Sequence, residues 1–355
     1  MQISSKYDAQ KQIDQIHAFH QEVKILEQNN ILTLTQNQQE SVQTYHQSII
    51  AQLVEQFDID TSPKQKRLST GLKVISFITA LTLGASLFFL FYQFWKFMDS
   101  YTQTVLLIFA SLITLTITYQ SYQKDKSGYF TKIAALLTLV AFLVNVSMIG
   151  KLYNFDSSPN LFGLLSMFAF ILAYATNTRL LLGFGIIFLS AFLSAKIGTW
   201  GGGYWIYFGE RPENFFLPSL ILFLIPYFKP HRYYDGFDSI YRIFAMILFF
   251  TSVLILSNFG FISYIPYLSN SIIEGFYQVV GFGVSLIAIW FGVKKGWSDL
   301  INGGNIYFTL FLYTKFYDWW WNIMPKFIFF FLMGMVTLGL MLMLRKMRHS
   351  IEESV

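Results

Sequence analysis

The chain contains no cysteine. That absence excludes disulfides, thiolate metal sites and a cysteine nucleophile. Charge is scarce as well. Asp, Glu, Lys and Arg make up 13% of the 355 residues, about half of the roughly 25% found in soluble domains. No ionisable residue lies near the centre of any long apolar run. Proton- and ion-coupled carriers usually hold such groups there, because their burial is costly and tolerated for function. Zinc-ligand spacing, a nucleophile elbow and kinase or ATPase motifs are also missing. Residues 1–70 are polar and carry no signal-peptide pattern, so the first apolar run is expected to act as an uncleaved insertion signal.

What is present is apolar: 54% of the residues are hydrophobic and 19% aromatic. A helix needs about 20 apolar residues to cross a bilayer. Measured against that length, spans are predicted near 74–95, 103–120, 132–150, 160–177, 180–195, 214–228, 240–260, 273–293, 300–316 and 326–344. The expected fold is an all-α, polytopic helical membrane bundle of about ten transmembrane helices, with a small N-terminal cytoplasmic helical hairpin. The expected division is a hairpin over 1–60, a linker over 61–71, a membrane domain over 72–346 and a short cytoplasmic tail over 347–355.

Basic residues orient the bundle. Lys64, Lys66, Arg67, Lys73, Lys124, Lys126, Lys132, Arg179, Lys229, Arg232, Arg242, Lys294, Lys295, Arg345, Lys346 and Arg348 fall on the N-terminal side, 16 in all. Lys96, Lys151, Lys196, Arg211, Lys315 and Lys326, 6 in all, fall on the other. By the positive-inside rule both termini are cytoplasmic, and the expected location is the bacterial inner membrane. Losing one span would turn the later basic clusters outward, so parity supports ten. The net charge of +5 is explained by these flanking loops and is no nucleic-acid signal.

Residues 1–60 are Gln-rich and read as two helices. Ile13, Ile16, Val23 and Leu26 share one face, Asn29-Asn30 breaks the pattern, and Thr35-x-x-Gln38 has capping-box spacing before Val42, Ile49, Leu53 and Phe57. A hairpin this small holds little core of its own. A protein partner or a second copy is therefore expected to dock through residues 1–60, alongside the lipid bilayer around the membrane domain. His17, His20 and His46 fall short of the three or four converging ligands that a metal site needs, so no metal or other cofactor is expected.

Most polar residues of the spans have structural explanations. Asn145 and the threonines Thr114, Thr116 and Thr118 suit helix–helix hydrogen bonds. Small residues at four-residue spacing, Ala80/Gly84, Ser190/Ser194 and Ala191/Ala195, permit close packing. Ser271-Ile272-Ile273-Glu274 reads as a capping box, and Asp238 and Asp299 as carboxylates opposing helix dipoles.

Two outer loops stand out. One runs through Trp200, three glycines and Trp205 to Glu210 and Arg211. Its glycines lack the Lys-Ser/Thr ending of a phosphate-binding loop. The other holds Tyr317, Asp318, Trp319, Trp320, Trp321 and Lys326, with Asp318 placed to pair with Lys326 across the turn. Interface aromatics alone explain both loops. Together they form the candidate outer-face ligand site; no catalytic residue is assigned.

The stretch from Gly303-Gly-Asn through Tyr317-Asp-Trp-Trp-Trp and Met324-Pro-Lys to Leu344-Arg-Lys resembles the bacterial predicted-membrane-protein family labelled domain of unknown function 2157. Members look like a short helical N-terminal region followed by many spans. Ile31-Leu-Thr-Leu-Thr-Gln36 corresponds to the entry of their second helix, with Asn30 where the family has Gly. The resemblance implies fold and topology and brings no established activity.

Three functions are compatible with these features. The missing motifs and intramembrane charges favour a non-enzymatic membrane protein whose hairpin is an interaction module. The alternative is a transporter or flippase-like protein for an apolar or amphipathic substrate. The third is a membrane-embedded lipid or glycan enzyme using Asp318 or Glu210 as acid or base.

Overall fold

The computed structural model describes residues 6–57, 92–125, 128–155, 158–228, 231, 233–234 and 236–352, with single positions at 75, 78, 79, 82, 85, 86 and 89. Most of the first predicted span, the linker and the Ala80/Gly84 pair lie outside the described residues. Among the described residues the structure is helical throughout, without strands. The chain divides into two units, Met1–Phe155 and Asp156–Val355.

The first unit opens with α1 (Lys6–Gln28) and α2 (Gln36–Phe57). Asn30, in the left-handed region at φ 54°, turns the chain after α1, a conformation that Asn tolerates through its short polar side chain. The Gln38 side chain then accepts from the Thr35 backbone N–H at 3.0 Å, one half of the expected capping box. Ala9, Ile13 and Leu53 pack together as a small buried cluster, joined by Ile49 and Ile50. Farther on, α3 (Ser100–Lys124) packs on α4 (Tyr129–Leu152). Asp99 caps α3 by accepting from the Thr102 hydroxyl at 2.5 Å and its N–H at 3.3 Å, and these bonds hold its carboxyl below the usual range.

The polar residues predicted to join these helices do so. Asn145 donates to the Leu107 carbonyl at 2.8 Å and to Ser111 Oγ at 2.9 Å. Thr118 and Thr138 hydroxyls meet at 2.8 Å. In a bilayer there is no hydrophobic drive between apolar helices, so these bonds and close packing carry the association.

The second unit contains α5 (Asn160–Thr176), α6 (Arg179–Trp200), α7 (Phe216–Phe228), α8 (Phe237–Leu256), α9 (Asn270–Lys295), α10 (Ser298–Trp320) and α11 (Lys326–Glu352). Every predicted segment from the second to the tenth coincides with a helix. Consecutive helices pack as neighbours, α5 on α6, α8 on α7 and α10 on α9. Asn177 at φ 48° closes the turn from α5 to α6, and Gly296 at φ 68° ends α9. The core collects Phe250, Val253, Leu256, Tyr277 and Phe311. Gly281 makes room for it: a Cβ there would stand 2.5 Å from the Phe311 ring.

Among the described residues five helices are long and apolar enough to cross a membrane: α3, α4, α6, α8 and α9. Three apolar stretches are shorter, Asn160–Thr176, Pro212–Phe228 and Lys326–Gly339.

Candidate functional site

The Trp200–Arg211 loop is built by short 3-10 helices, Trp205–Tyr207 and Pro212–Phe215, that carry the chain from α6 to α7. Trp200 and Glu210 are exposed, whereas Trp205 and Arg211 are half-buried. Arg211 points inward along the fold. Its Nη1 donates to the carbonyls of Ile262 and Ser263 at 2.7 and 2.8 Å, and its guanidinium lies 5.3 Å from the Tyr264 ring centre. The carboxylate held in this cluster is Glu213 rather than Glu210. Glu213 Oε1 accepts from Ser263 Oγ at 2.6 Å and from Tyr264 N–H at 3.0 Å. Asn214, 1% exposed, accepts from the Tyr264 hydroxyl at 3.0 Å and donates to the Phe208 carbonyl at 3.0 Å. Glu213 and Asn214 thus tie the α6–α7 connection to the α8–α9 connection, a pairing that sequence distance hides. Among the described residues the buried indole N–H of Trp205 and Oε2 of Glu213 have no hydrogen-bond partner.

The second loop makes separate contacts. Asp318 pairs with Lys315 at 2.6 Å, not with Lys326 as its place in the turn predicts. One helical turn separates Lys315 from Asp318, whereas Lys326 begins the next helix and turns back on Trp321. Lys326 donates to the Trp321 carbonyl and lies 3.6 Å from its ring centre, an attraction between cation and ring quadrupole. Tyr317 packs on Trp321 at 4.9 Å, and Trp320 stacks on Phe316 at 4.6 Å. Trp319, 57% exposed, points outward. Among the described residues, no hydrogen bond, ion pair or ring contact joins this loop to Trp200, Trp205, Glu210 or Arg211.

Two polar clusters lie near the opposite helix ends. Arg242 on α8 meets Asp299 on α10 through Nε–Oδ2 at 2.6 Å and Nη2–Oδ1 at 3.3 Å, and covers the Trp297 ring at 4.3 Å. His231 Nδ1 lies 2.6 Å from Asp238, and His231 Nε2 lies 2.8 Å from the Tyr174 hydroxyl. A proton on Nδ1 is donated to the carboxylate and leaves Nε2 to accept from Tyr174. Tyr174 in turn meets the Tyr241 hydroxyl at 3.0 Å. Asp238 and Asp299 therefore act through side-chain partners, beyond the dipole role predicted for them. Glu274 differs too: Ser269 holds the N-cap position of α9, without a side-chain capping bond, so Ser271 lies inside the helix. Glu274 accepts from the Gly260 N–H at 3.0 Å instead of closing a box.

In the first unit, His46 Nδ1 lies 3.0 Å from His20 Nε2. Partial burial and the neighbouring His20 push the His46 pKa below the ordinary histidine value. Among the described residues, no group of three His, Cys, Asp or Glu is arranged to hold a metal ion.

No curated protein and no solved structure matches the chain. The family model described as Predicted membrane protein (DUF2157) matches residues 40–182, from within α2 to within α6. The Tyr317–Lys326 turn lies outside that span. Over residues 40–182 the chain is similar to the DUF2157 family of predicted membrane proteins.

Proposed function

We propose that this chain is a multi-pass protein of the bacterial inner membrane, with about ten spans, both termini cytoplasmic, and a non-enzymatic role. Residues 1–60 serve as its cytoplasmic interaction module, a helical hairpin that binds a protein partner or a second copy. The observation that carries the reading is the imbalance of α1 and α2. They bury the small Ala9–Ile13–Leu53 cluster while leaving Phe19, Ile25, Ile31 and Tyr45 42–71% exposed. Exposed apolar groups on so slight a core support this reading. The 16-to-6 division of basic residues supports the orientation.

Because the chain has no cysteine, single-cysteine labelling is free of background. Glu210→Cys and Asn322→Cys are expected to react with an impermeant maleimide on intact spheroplasts. Ser48→Cys and Ser298→Cys are expected to react only after lysis. The reverse pattern would sink the orientation. For the module, sedimentation of the purified full chain and of a Phe19→Ser/Tyr45→Ser variant compares assembly size. Equal mass for both, with no partner recovered by in-cell cross-linking at Ser48→Cys, would remove the interaction role.

A further inference from the structure

Between α7, α8, α9 and α10 lies an apolar groove with a volume of about 580 Å³, within the roughly 300–1,000 Å³ of small-molecule sites. Leu220 and Phe223 of α7, Met246 and Phe249 of α8, and Ile287 and Phe291 of α9 form its walls. Its only polar lining residue is Ser219, whose hydroxyl is already donated to the Phe216 carbonyl at 2.7 Å. The groove therefore offers nothing to a polar ligand along its length. Leu220 and Ile287 on its rim are 54% and 60% exposed, so the groove opens sideways.

Its end is charged. Phe291 lies at the last wall position of α9, and Lys295 follows one turn later. The Lys295 ammonium stands 6.0 Å from the Phe291 ring centre and 5.8 Å from the ring of Tyr227 on α7, straddling the two helices that flank the groove. Lys294 beside it lies over Trp290 at 5.3 Å. Among the described residues neither lysine forms a salt bridge, whereas the nearby carboxylate of Asp299 is taken by Arg242. A dry channel with an uncompensated ammonium at one end matches a molecule with an alkyl chain and an anionic head.

We infer that this groove holds one acyl chain of an anionic phospholipid, from the leaflet that Lys295 faces, with the lipid phosphate on Lys295. The occupant is a lipid rather than a protein helix. A helix satisfies its own backbone and would also suit an apolar wall, so the Lys295 ammonium at the groove's end is what favours a molecule with an anionic head. A lysine near an anionic lipid surface contributes about a fivefold preference.

The test uses the full chain reconstituted in vesicles of phosphatidylcholine. These contain a trace of phosphatidylglycerol or, separately, of phosphatidylcholine with a photoreactive group on one acyl chain. Cross-linked peptides are mapped by mass spectrometry. Labelling is expected to concentrate on Leu220–Phe223 and Ile287–Phe291, several-fold stronger with phosphatidylglycerol. Ile287→Trp, a filling change on the exposed rim, is expected to lower labelling there at least fivefold. Lys295→Gln should leave the labelled positions unchanged and erase the difference between the two lipids. Labels spread evenly over all the apolar helices, or equal labelling of the wild type by both lipids, would overturn the assignment. If the tryptophan variant fails to fold, the wild-type map and Lys295→Gln decide alone.

Discussion

Arg242 and Asp299 stand 57 positions apart in the sequence and 2.6 Å apart in space, with about a tenth of each side chain exposed. Such a pair is costly to break from one side, because the remaining charge stays buried. Arg242→Ala or Asp299→Ala is expected to cost about 3–5 kcal/mol. Arg242→Met/Asp299→Leu, which removes both charges, is expected to cost less than either single change. Thermal unfolding in detergent, followed through tryptophan fluorescence, checks the order. Single variants that melt with the wild type would show that the pair contributes little.

Asn145 donates twice across the α3–α4 interface. Asn145→Leu keeps an apolar shape but leaves the Leu107 carbonyl without that donor. Interhelical hydrogen bonds in membranes are worth about 0.6–2 kcal/mol, and a loss in that range is expected. The measurement is the unfolding equilibrium of the variant in mixed micelles. A gain in stability would show that packing outweighs the bond.

The α1–α2 contact is expected to weaken in acid. His46 has a lowered folded-state pKa, so the unfolded segment binds protons more readily than the folded one. The contribution is whole above the ordinary value of 6.5 and is lost as the pH falls through the lower, folded value. Protection factors for amide exchange of α1 and α2 in the full chain, corrected for the intrinsic pH dependence, should fall as the pH drops below 6.5. His20→Gln removes the repulsive neighbour, so the folded value rises toward 6.5 and the acid loss should shrink. A loss that ignores the substitution would leave His20 without a role.

Asp318 was the carboxylate best placed for ligand work, yet its partner is Lys315, whose side chain is 8% exposed against 44% for Asp318. Asp318→Asn therefore strips a buried ammonium of its counter-ion. A cost of about 1–2 kcal/mol is expected, above a surface pair and below a fully buried one because solvent screens the carboxylate. Lys315→Met/Asp318→Asn should recover much of it. Any binding lost in the single variant and regained in the double belongs to the fold, whereas binding lost in both belongs to Asp318.

Helix positions were legible because an apolar run of bilayer length has few other uses. Asn145 and Thr118 were legible for a similar reason: a polar group in such a run must find a partner on a neighbouring helix. The Arg242–Asp299 pair was not, since each residue alone resembles an ordinary helix-end charge and only the packing of α8 on α10 unites them. The Glu213–Ser263 tie fails to show in the sequence for the same reason, and Glu210 drew attention because it flanks the conspicuous glycine run. Glu274 misleads through spacing: a box needs α9 to follow Ser271 as its N-cap, but the N-cap position is Ser269. The outer aromatic loops were visible as composition, while their separate contact sets depend on three-dimensional placement.

The two-residue turn between α5 and α6 has a consequence for the surrounding membrane. With 17 residues, α5 spans about 25 Å at 1.5 Å per residue, and Pro212–Phe228, the 3-10 turn together with α7, is little longer. The hydrocarbon core of a typical bilayer is about 30 Å thick. Neither helix can tilt its way out of a deficit; tilting only shortens its reach. In the membrane arrangement proposed above, lipid beside these helices is pulled thin, at a fraction of a kcal/mol per ångström of mismatch. The protein would settle in regions of shorter or less ordered chains, and acyl-chain length would become a dial on its stability.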